Sequence, residues 1–293
     1  MSRWDSREET TRPLSDSIQR EPGRVAGADD QERESEVRTL EVSTSEPRTR
    51  YQDRGRTYML RASEIQTMTD IGTFRALAAK DVEAFLYGGD ATRMEADLGN
   101  LRRQRLILER DVPQRENAPR RLVALTKEGR HLLVATKTVQ KGQVLYHGFT
   151  KPREADHDAD LYKLYQRGLE NAGQHGGKNI RVILDSELKR TLYRDLARAG
   201  EQGQGETKSA IAEHHGLRVV RDTIPVPDLR IEYETADGEP ARLDLELATE
   251  HYRFRNIARK VLAGFSIYAR SQDAQNLRRV LDQREITAEI LNL

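Results

Sequence analysis

The spacing of apolar residues changes character along this chain. Residues 1–57 mix Arg, Glu, Asp, Ser and Thr with almost no apolar period. From Tyr58 on, Ile65, Met68, Ile71, Phe74, Leu77 and Ala78 recur at steps of three and four, which predicts an amphipathic helix over 63–79 with Ser63 as its N-cap. Asp81 begins a short helix over 82–87, ended by Gly88-Gly89, and Asp90 caps a third over 91–104. In that third helix Met94, Leu98 and Leu101 form the buried stripe, while Thr92, Arg93, Glu95, Ala96, Asn100 and Arg103 face outward. Residues 106–110 and 121–125 read as two strands joined by a loop over 112–120, and a helix follows from Thr126.

Residues 139–153, with Gly142, Gly148 and Pro152, read as a linker. A helix is predicted from near Asp156, with Leu161, Leu164, Tyr165, Gly168 and Leu169 on its core face, and Gly173 to Gly177 break it. Then come a strand (Ile180, Val182, Leu184), helices over 186–199 and 206–215, and a short strand over 217–220. In 228–234, Leu229, Ile231 and Tyr233 alternate with charged residues; after an Asp237-Gly238 turn, Leu243, Leu245 and Leu247 alternate again, giving an antiparallel hairpin. Phe254, Ile257, Ala258, Val261, Leu262 and Phe265 make a helical apolar face, and from Gln272 the tail reads as a polar helix ending in Ile286, Ile290 and Leu291. The expected organisation is a disordered arm (1–57), a first domain (58–138), the linker (139–153) and an α/β domain (154–293).

At 293 residues the chain is long enough for two cores, but 36% hydrophobic against 33% charged residues leaves part of it solvated. Lys plus Arg (49) nearly cancels Asp plus Glu (48), so any nucleic-acid binding must come from locally clustered arginines. Arg48, Arg50, Arg54 and Arg56 in the arm are interleaved with acids, the pattern of a solvated tail. The absence of cysteine excludes disulfides, thiolate metal sites and a cysteine nucleophile. No apolar run approaches the roughly 20 residues needed to span a bilayer, so a cytoplasmic protein with no membrane partner is expected.

On the hairpin, Asp228, Asp244 and Glu246 share the face opposite the leucines. Hard carboxylate oxygens so grouped are the ligands of Mg²⁺ in phosphodiester hydrolysis, where the metal activates water and offsets transition-state charge. The other reading is a charged, exposed hairpin face. Pro227-Asp228 and Glu246-Leu247-Ala248 resemble the PD-(D/E)XK nuclease fold, except that Ala248 stands where the lysine belongs. Lys260 or Arg259 on the following helix could reach back to replace it. Asp156-His157-Asp158-Ala159-Asp160 has the residue types of a metal cluster, but consecutive helix positions diverge, and acids at a helix start serve capping. His251 reads as a helix-start residue.

Helix, helix, helix, hairpin and helix, with Leu125-Thr126-Lys127-Glu128-Gly129-Arg130 at the last junction, resemble a winged helix. That resemblance implies a third helix in the major groove, with Thr92, Arg93, Asn100 and Arg103 contacting DNA and Arg115, Arg120 and Arg121 supplying phosphate contacts. Glu95 and Asp97 on the same helix favour the alternative, a protein-docking module. The whole order of elements, α+β with an N-terminal winged helix followed by an α/β PD-(D/E)XK-like domain, resembles the replication-relaxation family. The resemblance implies a DNA-binding protein of mobile elements, tied to plasmid replication, conjugal DNA processing or transcriptional regulation. The expectation is therefore non-catalytic binding of double-stranded DNA with no cofactor required. The alternatives are a Mg²⁺- or Mn²⁺-dependent nuclease using Asp228, Glu246 and a displaced Lys260, and a docking protein without DNA. A homodimer through the C-terminal helix and contacts with replication or conjugation proteins are the candidate assemblies.

Overall fold

A β-hairpin opens the described part of the chain: β1 (Thr49–Asp53) and β2 (Arg56–Leu60), turned at Arg54 and Gly55, both with positive φ. The computed structural model describes residues 46–113, 119–149, 152–174, 177–202, 207–248, 254–282 and 290–293. The hairpin corrects the expectation of a disordered arm to residue 57. Tyr58 and Leu60 are buried, so a polar stretch is anchored by two apolar side chains. The rest of the expected arm, residues 1–45, lies outside the described residues, as do Arg115 and His251.

Next come α1 (Ala62–Phe74), β3 (Leu77–Ala78), α2 (Ala79–Leu86), α3 (Ala91–Arg103), β4 (Ile107–Val112), β5 (Arg120–Leu125) and α4 (Lys127–Thr136). The first helix stops five residues before the expected end at residue 79, because Leu77 and Ala78 pair with Val123 and Leu122 of β5 as the edge of a three-stranded sheet ordered β3-β5-β4. Ser63, expected to cap α1, lies in its first turn and donates to Asp97 Oδ2 at 2.7 Å. Asp90 does cap α3, accepting from Arg93 N at 2.9 Å, and Thr126 caps α4, accepting from Gly129 N at 2.9 Å. Residue 129 must be glycine, because a Cβ there would collide with the carbonyl of Leu106.

The expected linker is packed structure. Leu145 is buried against Gly72, Tyr146 N donates to Gly72 O at 2.6 Å, and Gly148 N donates to Leu125 O at 2.8 Å. Gln143 exchanges two side-chain hydrogen bonds of 3.0 Å with the N–H and C=O of Val182, pairing the outer strand of the second sheet as another strand would.

That second sheet is built from β6 (Lys178–Leu184), β7 (Leu229–Glu234), β8 (Pro240–Ala248), β9 (Ser266–Ala269) and β10 (Ile290–Asn292), in the order β10-β9-β8-β7-β6. The β6–β7–β8 pairs are antiparallel, and β8–β9–β10 run parallel. Neither β9 nor β10 was expected, whereas the expected strand over 217–220 is an irregular segment with a single bridge from Val220 to Thr223. One face is covered by α5 (Pro152–Gln174); a Cβ on Gly168 would press on Ile231 and Leu245, so the helix lies close against the sheet. The other face is covered by α6 (Asp185–Gln202), α7 (Lys208–His214), α8 (Phe254–Leu262) and α9 (Ser271–Asp282), which contribute Leu188, Leu192, Ile211, Ile257, Leu277 and Leu281 to one apolar cluster.

The fold is mixed α and β, and its larger apolar cluster is continuous: Met68, Ile71, Phe74 and Leu125 of the first half belong with Leu161, Tyr162, Ile231 and Leu245 of the second. The Phe74 ring meets those of Tyr162 and Tyr165 at 5.2 and 5.0 Å. Among the described residues no helix is long and apolar enough to cross a membrane.

At the same α1–α5 contact, Tyr162 donates to Asp70 Oδ2 at 2.9 Å and Gln66 donates to Oδ1 at 2.8 Å. Burial outweighs both hydrogen bonds and raises the Asp70 pKa from its ordinary 3.8 to about 6. An acid with a higher pKa in the folded state takes up protons on folding. Its contribution is therefore full below about pH 4 and is lost as pH rises through about 6. At about 1.4 kcal/mol per unit, the loss is on the order of 2–3 kcal/mol. Asp70→Asn should flatten this part of the stability curve in urea melts between pH 4 and pH 7, and parallel curves for the two proteins would exclude Asp70 as its source.

Candidate active site

Three elements bring the predicted site together. The register Leu229↔Leu245 and Arg230↔Asp244 sets Asp228, one residue before β7, across from Glu246. Asp228 N donates to Glu246 Oε2 at 3.2 Å, and Leu247 N donates to Asp228 Oδ2 at 3.0 Å. The third element is α8: Lys260 Nζ donates to Glu246 Oε2 at 2.7 Å and to Val226 O at 2.6 Å, beneath the Phe265 ring. Ala248 sits in the apolar cluster with Ile257 and Phe265, where an ammonium would be desolvated without a partner. The cation thus comes from the helix that covers position 248. Glu246 is fully buried, and the Lys260 and Asp228 side chains are 15% and 16% exposed.

The helix α5 adds His157, whose Nε2 lies 3.9 Å from Asp228 Oδ1. Because α5 starts at Pro152, residues 156–160 fall after its first turn, which corrects the capping role expected of them. Successive helical positions point about 100° apart, so neighbouring residues reach different elements, while Asp156 and Asp160, four apart, share a face. Asp156 and Asp160 pair with Arg120 at 3.5 and 3.0 Å, Asp160 also pairs with Arg270, and Asp158 faces Arg75 at 3.5 Å. From α6, Asp185 N donates to Asp228 O at 3.1 Å, and Lys189 Nζ donates to Asp185 Oδ2 at 2.7 Å. Burial works against the charge on Lys189, but the hydrogen bond and charge of Asp185 and the charge of Asp228 together raise its pKa.

Asp244, expected as an auxiliary metal ligand, is committed elsewhere. Arg230 is buried, and its guanidinium holds both Asp244 oxygens at 2.6 and 2.9 Å while donating to His215 O at 2.6 Å. Among the described residues no group of three or more His, Asp or Glu side chains is placed to hold a metal ion. Asp228 and Glu246 remain as the two carboxylates that could act as hard-oxygen ligands. Two carboxylates fit Mg²⁺, which keeps several waters and is commonly held by one or two carboxylates with substrate phosphates.

The residues expected to contact DNA divide. Thr92 and Arg103 are exposed on α3, and Arg93 is half-buried with its guanidinium 5.8 Å over the Tyr87 ring. Asn100 instead donates to Met59 O at 3.1 Å and Glu64 Oε1 at 2.8 Å, tying β2 to the helices. Arg120 turns inward to Asp81, Asp156 and Asp160, where three carboxylates hold it, and Arg121 pairs with Glu95 across the surface. Asn100 and Arg120 are thus engaged within the fold rather than pointing outward, while Arg121 keeps a part-exposed side chain in a surface pair with Glu95. Lys189 and Arg75 are the neighbours that sequence reasoning passed over, and His157, weighed within the acidic stretch 156–160 and set aside there for helix capping, is a third neighbour.

No family model matches the chain, and no curated protein matches it.

The Glu246–Lys260 pair gives a stability prediction. Removing one partner of a buried ion pair costs about 3–5 kcal/mol because the remaining charge stays desolvated. Lys260→Met should therefore destabilise the protein by about 3 kcal/mol in urea unfolding, and Glu246→Gln added to it should restore most of that loss. A neutral Lys260→Met, or simple additivity, would mean that the two groups are not coupled.

Proposed function

We propose that this chain is a metal-dependent DNA nuclease of PD-(D/E)XK type in which Lys260 does the work of the lysine that is alanine at position 248. The observation that carries the reading is the 2.7 Å contact from Lys260 Nζ to Glu246 Oε2, beside Asp228. The element order α5, β6, α6, α7, β7, β8, α8, β9 supports it: apart from the two helices between its first two strands, it is a helix, three antiparallel strands, a helix and a parallel fourth strand, with Asp228 just before the second strand and Glu246 on the third. The order α1, α2, α3, β4, β5, α4 supports a winged helix as the DNA-gripping half, with Thr92 and Arg103 on its third helix facing out.

In this reading Asp228 and Glu246 would hold Mg²⁺ or Mn²⁺, which when bound supplies a Lewis acid and a more acidic water. The chain's own groups do the rest. Leu247 N fixes the rotation of the Asp228 carboxylate, and Val226 O fixes Lys260, so a positive charge is held ready where negative charge develops on the phosphoryl oxygens. His157 borders the pair on the α5 side, with Nε2 3.9 Å from Asp228 Oδ1, an imidazole close enough to take part in proton transfer only after a small movement. The resemblance to the replication-relaxation family would set this activity in the processing of mobile-element DNA.

A second reading, non-catalytic DNA binding, is favoured by one observation: among the described residues no group of three or more His, Asp or Glu side chains is placed to hold a metal ion. Duplex and single-stranded DNA incubated with the protein in EDTA or in Mn²⁺, and read on one gel for both mobility shift and cleavage, separates the two. The nuclease reading expects Mn²⁺-dependent cleavage abolished by Asp228→Ala and reduced about 10²–10³-fold by Lys260→Ala. Arg103→Ala should weaken the shift in a salt-dependent way. A shift in EDTA with no cleavage in Mn²⁺ supports the second reading, and neither shift nor cleavage overturns both.

A further inference from the structure

A cavity of about 520 Å³ is walled by the first half of the chain on one side and by α5 and α6 on the other. Arg75, Tyr146, His147, Phe149, Asp185 and Ser186 line it. Two of its lining residues connect it to the site: the N–H of Asp185 bonds the carbonyl of Asp228, and Glu154 lies one helical turn before His157.

Two features of its wall point to a ligand with a flat ring and a phosphate. The Arg75 guanidinium lies 4.6 Å from the centre of the Tyr146 ring, and that of Arg110 lies 4.5 Å from the centre of the Phe149 ring. Within four residues, two aromatic rings thus each carry a guanidinium on one face. The segment is also held in advance. Backbone hydrogen bonds from Tyr146 and Gly148 to Gly72 and Leu125 fix it on either side of the exposed His147, and Arg75 is oriented by Asp158 and by the Ser186 hydroxyl. Rings with a stacking face, next to cations, are how proteins hold unpaired nucleotides. A cavity of a few hundred cubic ångströms accepts a single small ligand and excludes a duplex.

We propose that this cavity binds an unpaired nucleotide of a DNA strand, stacked on Tyr146 and Phe149, with its phosphate met by Arg75 and His147, so that the substrate is single-stranded or carries a single-stranded overhang. The proposal rests on the nuclease reading for the course of the strand toward Asp228, and it gives that site its substrate class. Duplex DNA with a short 3′ or 5′ overhang fits both the cavity and α3, whereas blunt duplex fits only α3.

The test uses the full chain in EDTA, with fluorescent blunt duplex and the same duplex bearing a single-stranded overhang, read by anisotropy. Loss of a stacking ring should weaken overhang binding by about tenfold in Tyr146→Leu. Blunt-duplex affinity should be unchanged, and Tyr146→Phe should bind as the wild type does. A thermal melt detects a misfolded Tyr146→Leu, in which case His147→Ala, at an exposed position, carries the test with the same expected selectivity. Equal loss for both DNAs, or unchanged overhang affinity in both variants, would overturn the proposal. Cleavage in Mn²⁺ measured on the same samples keeps the two claims apart. Selective loss of overhang binding in a protein that never cleaves supports the cavity while removing the nuclease reading. Asp228-dependent cleavage with overhang affinity indifferent to Tyr146 and His147 does the reverse.

Discussion

The antiparallel register of β7 and β8 decides where the charged groups carried by the hairpin go. With Leu229 opposite Leu245, the leucine face meets α5, and Asp228, Arg230, Asp244 and Glu246 take the face covered by α6, α7 and α8. A slip of one residue would exchange the two faces, driving four ionisable groups into the apolar cluster around Tyr162. The same register explains why two acids at similar spacing have different fates. Asp244 lies opposite Arg230 and is neutralised in a bidentate pair, whereas Glu246 lies opposite Asp228 and takes its cation from α8.

A second constraint fixes the two halves of the chain against each other. Arg120 at the start of β5 is held by Asp81 of α2 and by Asp156 and Asp160 of α5, and Asp160 passes the pairing on to Arg270 after β9. A single guanidinium with several carboxylates around it ties the three-stranded sheet, the long helix and the five-stranded sheet into one ionic network. Together with the shared apolar cluster and the packed segment 139–149, this leaves no hinge in the described chain between α3 and the acids. A ligand gripped by α3 would be presented to Asp228 at a fixed distance. Such pre-organisation lowers the entropic cost of positioning a strand.

Much of this was legible in the sequence where the signal is local. The alternation around Asp237-Gly238 gave the hairpin, Asp90 and Thr126 gave their helix starts, and Pro227-Asp228 with Glu246 gave the acids. Lys260 was legible only as one of two candidates, because the sequence does not say which side of α8 faces the sheet. Errors arose where the information is non-local. Leu77 and Ala78 continue a helical period and become a strand only because β5 offers them partners. The four residues of β9 and the three of β10 are too short to establish an alternation of their own. Arg120 and Asn100 look like surface residues until the fold brings carboxylates and a backbone carbonyl to them. Residues 139–153 look like a linker because glycine content does not register one buried leucine and one glutamine that completes a sheet edge.

The account depends on Asp228 and Glu246 acting jointly as a cation site with Lys260 at its rim. Anomalous diffraction from crystals soaked in Mn²⁺ tests this without reference to any substrate. The account predicts a peak within coordinating distance of both carboxylates, absent in Asp228→Asn. Density only at the acids of α5, or none near Glu246, would contradict it and leave the buried pair as a tie between β8 and α8.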